Sequence, residues 1–177
     1  GKKGPRAVAV ALALHIDELR TGRDKVLACI VSSRKHDEWV LPKGGVEKGE
    51  SAREAAAREL WEEGMNESDV LTHSGRARIT DLPTWAAGAQ DVTVSDTKPH
   101  SSSPTKDPAS ADFVPHSIYI LHEFVVPSTK GEAKWPEASE RKREWVPFDE
   151  AARRVAWRRG MGDAMRLAPV NQSPYLS

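Results

Sequence analysis

One predicted helix has a capped first turn and a last turn crowded with carboxylates. Ser51 followed by Glu54 is a capping box, so we expect the helix to begin there and run through the alanines that follow. Glu59, Glu62 and Glu63 stand at i, i+3 and i+4 and share one face of that helix. These like charges repel each other near the negative end of the helix dipole, and a hard divalent cation would compensate for the repulsion. A solvated acidic face is the alternative interpretation.

A short apolar strand and a glycine turn precede this helix. Trp39 to Leu41 read as the strand, and Gly44 and Gly45 follow it after a proline and a lysine. Glycines at such positions can adopt positive φ and let the backbone approach a ligand closely. The order of strand, glycine loop and acidic helix favours a site that holds a phosphate together with a metal ion.

These residues resemble the Nudix box, G-x5-E-x7-R-E-U-x-E-E-x-G-U, in which U is a bulky aliphatic residue. The two final positions depart from the pattern, because the expected glycine falls on Met65 and the aliphatic residue on Asn66. The resemblance implies a Nudix fold, an α/β/α sandwich with a mixed central sheet, and hydrolysis of a diphosphate. The positions that match in register are Gly44, Glu50, Arg58, Glu59, Leu60, Glu62 and Glu63.

The same resemblance implies roles for the charged residues of the box. Mg²⁺, for which Mn²⁺ can substitute, would be held by Glu59 and Glu63, with Glu62 nearby and a backbone carbonyl at Lys43. Glu62 is the expected base that deprotonates the attacking water, and Glu63 is the alternative. Arg58 is expected to orient the glutamates rather than to contact substrate.

Segments that flank the box narrow the resemblance. Residues 32–39, residues 141–145 and the Pro42–Gly45 turn are similar to diphosphoinositol polyphosphate phosphohydrolases, which also act on diadenosine polyphosphates, and in particular to their fungal members. The resemblance implies that six residues touch substrate phosphates: Arg6, Ser32, Arg34, His116, Arg141 and Arg159.

Charge distribution is consistent with a polyanionic substrate. An inositol pyrophosphate needs several lysines and arginines that converge from separate segments, and arginine suits bidentate contact with phosphate. The chain offers such residues at Lys2, Lys3, Arg6, Arg34, Lys35, Lys43, Arg141, Lys142 and Arg143. Three further arginines, Arg153, Arg154 and Arg158, read as a solvated helix face.

Two other functions remain open at this stage. A Nudix enzyme that acts on nucleotides or capped RNA would share the box, and six tryptophans leave room for a base-stacking site. A non-catalytic module that binds a phosphate ligand would retain the fold, and the departure at Met65 and Asn66 favours it. Diadenosine penta- and hexaphosphates are expected as second substrates of the inositol pyrophosphate enzyme.

The rest of the chain predicts one domain over residues 1–177 with a short C-terminal tail. Strands are expected at Arg6–Leu14, 25–32, 116–126 and 145–146, with weaker signal at 69–82, and a helix at 149–159. Residues 83–115 contain five prolines, many serines and few aliphatic residues. This composition predicts a disordered insert within the domain.

Composition limits the compartment and the partners. Lysine plus arginine equals aspartate plus glutamate at 26 each, so the chain has no global attraction to nucleic acid or membrane. One cysteine, Cys29, allows no internal disulfide, and no apolar stretch approaches the roughly 20 residues of a membrane span. We expect a cytoplasmic or nuclear monomer. The chain begins with Gly1, so secretion after removal of a signal remains an alternative.

Overall fold

The computed structural model describes residues 4–34, 37–63, 85, 91–126, 129, 141–158 and 160–177, with only the backbone of Trp61 and Glu63. Its strands are β1 (Arg6–Ile16), β2 (Val26–Ser32), β3 (Trp39–Val40), β4 (Lys43–Gly45), β5 (Val92–Ser95), β6 (Ser117–Val125) and β7 (Arg143–Pro147). Its helices are α1 (Ala52–Glu63), α2 (Phe148–Val155) and α3 (Met161–Leu167), with 3₁₀ turns at Gly22–Lys25 and Pro169–Gln172.

Strand β1 lies at the centre of a mixed seven-stranded sheet in the described part of the chain. The strand order is β3-β2-β1-β6-β5, while β4 pairs with β1 and β7 pairs with β2. One edge of β1 is divided between two antiparallel partners, with Ala9 opposite Gly44 of β4 and His15 opposite Leu27 of β2. The other edge pairs in parallel with β6 along its length. Because β4 and β2 share this edge, the glycines of β4 lie beside the first half of β1.

The alternation of side chains along β1 builds two cores. Its alanines face α1, where they pack with the Ala55–Ala57 run and Leu60. The larger residues between them, such as Val10 and Leu12, pack on the other face with α2 and α3. Small side chains under α1 allow the helix to lie close to the sheet. The arrangement is the predicted α/β/α sandwich with a mixed central sheet.

Several predicted elements are confirmed and others differ. The strands expected near 6–14, 25–32, 116–126 and 145–146 are present as β1, β2, β6 and β7. The predicted helix at 149–159 is shorter, because α2 ends at Val155, and Gly160 with a φ of 83° turns the chain into α3. Helix α3 was not predicted. The weak strand signal at 69–82 lies outside the described residues.

The prediction of disorder is wrong for residues 91–115. Strand β5 pairs with β6, and Pro99 forms a bridge with Pro115 beyond it. The polar side chains that suggested disorder satisfy the backbone of the loop, since Ser103 Oγ accepts from Val114 N–H at 3.0 Å and donates to Thr105 O at 2.6 Å. Residues 83, 84 and 86–90 of the predicted insert lie outside the described residues.

Within the described part of the chain, no helix has the length and apolar character that a membrane crossing requires.

Candidate active site

The capping box places the box helix as the sequence predicts. Ser51 Oγ accepts a hydrogen bond from Glu54 N–H at 3.1 Å, and Ser51 N–H donates to Glu54 Oε1 at 3.2 Å. Two backbone N–H groups of the first turn are thereby satisfied. The cap determines where α1 begins and therefore where its carboxylates stand.

Arg58 connects the carboxylates around the last turns of α1. Its Nε and Nη2 donate to Glu50 at 2.9 and 3.1 Å, and Nη2 also donates to Gly45 O at 3.1 Å. Its Nη1 donates to Glu59 Oε1 at 2.8 Å and lies 3.5 Å from Glu62 Oε2. The hydrogen bond from Arg58 lowers the pKa of Glu50, and the hydrogen bond to Glu50 is the main cause that raises the pKa of Arg58. One guanidinium therefore offsets part of the repulsion among three carboxylates.

The two glycines of β4 face opposite sides of the sheet. A methyl group on Gly44 would lie 2.0 Å from Glu59 Oε1, and one on Gly45 would lie 2.9 Å from Arg6 Nη2. Neither glycine has positive φ, so that expectation is wrong; among the described glycines positive φ occurs at Gly22, Gly49 and Gly160. A larger residue at either position would require the carboxylate of Glu59 or the guanidinium of Arg6 to move.

The structure describes some, but not all, of the groups predicted to bind a metal ion. Glu59 and Glu62 both present carboxylate oxygens beside Arg58, and Lys43 lies in β4, whereas the side chain of Glu63 is outside the described residues. No group of three or more His, Cys, Asp or Glu side chains is arranged around a metal position in the part of the chain that the structure describes. The carboxylate chemistry fits a hard divalent ion. The metal site remains a prediction.

A pocket of about 590 Å³ opens where β5 and β6 meet the end of α2. Its lining residues are Asp96, Lys98, Pro99, His116, Trp157 and Arg158. His116 was predicted from the sequence, and its backbone carbonyl accepts from Arg6 N–H at 3.0 Å, which puts the backbone of Arg6 next to His116. Arg158 lines the pocket, whereas the sequence suggested a solvated helix face. Lys98 and Trp157 were not predicted, because no local pattern brings them together.

A second group of predicted residues lies at the ends of β2 and β7. Arg141 Nη1 donates to Ser32 O at 3.1 Å, and Lys142 N–H donates to Ser32 Oγ at 2.8 Å. Arg143 pairs with Val31 across the two strands, and Arg34 is exposed just after β2. Lys2, Lys3, Lys35 and Arg159 lie outside the described residues. Arg141 and Ser32 are therefore brought together, as a pair of substrate-binding residues would require.

Two tryptophans join this group to the pocket. Trp39 pairs with Ser32 between β3 and β2, and its carbonyl accepts from Trp157 Nε1 at 2.7 Å. The guanidinium of Arg154 stacks over the Trp39 ring at 4.5 Å and forms ion pairs with Glu144 and, at 3.1 Å, with Glu150. Arg154 is thus engaged in packing rather than only solvated. These contacts connect Ser32, through Trp39, to Trp157 at the pocket.

A family model for the NUDIX domain matches residues 6–166. The chain belongs to the Nudix family. The Nudix fold is also found in the NUDIX domain of Shewanella oneidensis NrtR complexed with ADP ribose (TM-score 0.50, 12% identity, 86% of this chain and 79% of that one). A possible asymmetric diadenosine tetraphosphate hydrolase from Jonesia denitrificans gives a TM-score of 0.52 with 18% identity and covers 99% of both chains. Nudix hydrolases typically use a divalent metal ion.

Curated relatives match only segments of this Nudix chain. An RxLR effector protein of Phytophthora infestans is 36% identical over 64 residues, which are 36% of this chain and 23% of that protein. An RNA pyrophosphohydrolase of Roseobacter denitrificans is 69% identical over 29 residues, 16% of this chain and 18% of the relative. The chain therefore spans less than a quarter of the length of these two relatives in the matched segments.

Proposed function

We propose that this Nudix protein is a Mg²⁺-dependent phosphohydrolase that releases phosphate from the diphosphate group of an inositol pyrophosphate. The observation that carries the proposal is the arrangement at β4. Glu59 approaches Gly44 from the side of α1, and Arg6 approaches Gly45 from the other side. A diphosphate that lies across the two glycines of β4 would have the carboxylate of Glu59 near one end and the guanidinium of Arg6 near the other.

The second support is the number of segments that supply cations. Arg6 comes from the start of β1, Lys98 from the beginning of the connection between β5 and β6, and Arg158 from the turn after α2. Arg141 adds a further cation just before β7. A substrate with a high density of phosphates uses such convergence, whereas a nucleoside diphosphate needs fewer cations.

The acidic residues of α1 would have different roles in metal binding and in proton transfer. Glu59, Glu62 and Glu63, with the backbone carbonyl of Lys43, would hold Mg²⁺, which supplies charge neutralisation of the phosphates and a lower pKa for bound water. Arg58 holds Glu59 at 2.8 Å but lies 3.5 Å from Glu62. Glu62, which Arg58 holds less closely, is the proposed base for the attacking water, and Glu63 is the alternative base. Catalysis would rest on positioning and electrostatics.

A nucleotide substrate is the second candidate, and two residues of the pocket favour it. Trp157 provides an aromatic wall on which a base could stack, and the buried Asp96 provides a carboxylate that could accept from a ribose hydroxyl. The relatives are consistent with this reading, since they include a domain complexed with ADP ribose and an RNA pyrophosphohydrolase. Diadenosine penta- and hexaphosphates and capped RNA belong to this candidate class.

A comparison of substrates tests the proposal. Phosphate release from 5-diphosphoinositol pentakisphosphate would be measured with Mg²⁺, after chelation, and in Glu63→Gln. Cleavage of diadenosine hexaphosphate, ADP-ribose and capped RNA at equal concentration would be followed from their nucleotide products. We expect rapid, Mg²⁺-dependent release from the inositol substrate that Glu63→Gln abolishes. Cleavage of a nucleotide alone would retain the hydrolase and reject the inositol assignment. Binding of the inositol substrate with no turnover of any substrate would indicate a non-catalytic module.

A further inference from the structure

We propose that residues 96–116, the β5–β6 loop, form a phosphate subsite separate from the scissile diphosphate, with Lys98 as its specificity-determining residue. The inference rests on the proposed function for the identity of the ligand, but the subsite can be tested without turnover. None of the residues that line the pocket belongs to α1 or β4. A group bound in the pocket would therefore be a different part of the substrate from the part held at the carboxylates.

The loop is built to hold its two ends side by side. Asp96 N–H donates to Ser117 O at 3.0 Å, and His116 N–H donates to Lys98 O at 2.8 Å. The Pro99–Pro115 bridge and a hydrogen bond from His100 N–H to Val114 O at 2.8 Å extend this pairing. Lys98 and His116 are consequently fixed as neighbours on one wall of the pocket, although 17 residues of loop separate them.

Arg158 faces the same pocket from the turn after α2. The side chains of Lys98 and Arg158 form no ion pair or hydrogen bond with another residue of the described part of the chain, and Arg158 is half-buried. Cations that lack a carboxylate partner in a concave site attract an anion, and arginine provides a bidentate contact with phosphate. The two positive charges from separate elements therefore favour a phosphate between them.

Asp96 accounts for the position of Lys98. Its Oδ1 accepts from the backbone N–H of Lys98 at 2.9 Å, and Asp96 is buried. The carboxylate thus fixes the turn that presents Lys98, while its negative charge opposes an anion in the pocket. Asparagine can accept the same hydrogen bond without the charge. Asp96→Asn should therefore strengthen the binding of a phosphate but weaken the binding of a ribose hydroxyl that donates to the carboxylate.

Three variants test the subsite by calorimetry with myo-inositol hexakisphosphate and by steady-state hydrolysis of 5-diphosphoinositol pentakisphosphate. Lys98→Ala should weaken binding and raise KM by about tenfold or more, with kcat unchanged, because it removes one charged contact with phosphate. Lys106→Ala is the matched control, since Lys106 is an exposed lysine of the same loop that does not line the pocket. Asp96→Asn should tighten binding of the hexakisphosphate.

The outcomes separate the subsite from the proposed function. If Lys98→Ala behaves like Lys106→Ala in hexakisphosphate binding, the subsite is rejected. If Asp96→Asn weakens that binding, the pocket does not hold a phosphate beside Asp96, and the proposal is also overturned. If the wild-type protein hydrolyses no inositol pyrophosphate, the proposed function fails, yet selective loss of hexakisphosphate binding in Lys98→Ala still supports the subsite. Circular dichroism of each variant checks that the fold is retained.

Discussion

Replacement of Gly44 by alanine should damage catalysis in a protein that remains folded. The added methyl would lie 2.0 Å from Oε1, 2.3 Å from Cδ and 2.8 Å from Oε2 of Glu59. Ordinary contact begins at 3.4 Å, so the carboxylate must retreat by about 1.4 Å, the difference between 3.4 and 2.0 Å. Misplacement of a catalytic group by roughly 1 Å can cost about a hundredfold in rate. We therefore expect kcat to fall by about a hundredfold.

The stability change can be bounded from the contacts of Glu59. Retreat of its carboxylate breaks the 2.8 Å hydrogen bond from Arg58, and the two side chains are only 12% and 23% exposed. Loss of a hydrogen bond between charged groups costs about 1.5–3 kcal/mol, and replacement of glycine without positive φ offsets about 0.4–1 kcal/mol of that. The net loss of about 0.5–2.5 kcal/mol should lower Tm by less than about 10 °C.

The assay compares Gly44→Ala with Gly45→Ala at saturating Mg²⁺. The Gly45 methyl meets the flexible end of Arg6 at 2.9 Å, so this variant should raise KM and leave kcat close to the wild-type value. Binding of Mn²⁺, followed by electron paramagnetic resonance, should weaken in Gly44→Ala alone. Wild-type kcat in a folded Gly44→Ala protein would refute the placement of Glu59 at the reaction centre.

Three further predictions concern α1 and the pocket. Glu63→Gln should remove most turnover while the melting curve stays close to wild type, and near wild-type turnover would reject Glu63 as a metal ligand. Arg58 holds the pKa of Glu50 below its usual value of 4.5, so this pair stabilises the fold above about pH 4.5 and the contribution is lost as pH falls through the lowered pKa. The free energy of unfolding, measured from pH 6 to pH 3, should therefore fall less steeply in Glu50→Gln than in the wild type. The substitution should also lower the free energy of unfolding by about 1–3 kcal/mol at pH 7. Equal pH slopes in the two proteins would contradict the coupling between Arg58 and Glu50. Trp157→Ala should raise KM for diadenosine hexaphosphate more than for the inositol substrate if bases stack on this ring, and equal effects would exclude stacking.

Local sequence was sufficient for α1 and for strands β1, β2, β6 and β7, but not for β5 or α3. The capping box at Ser51 and Glu54 depends on residues three positions apart, so it sets the register of α1 without any tertiary contact. The alternation along β1 likewise predicts a strand with two buried faces. The same local rules misjudged residues 91–115, because composition cannot register the backbone hydrogen bonds that Ser103 accepts and donates across its loop.

Tertiary structure alone decided how the candidate site is assembled. Arg6 and Glu59 meet the two sides of β4 only because β4 pairs with the first half of β1. Lys98 and Arg158 share a pocket because the β5–β6 loop and the turn after α2 converge on one end of the sheet. The chemistry of α1 and the alternation of the core follow from local sequence, since these depend on neighbours a few positions away. The convergence of cations depends on strand order and loop closure, which act over dozens of residues.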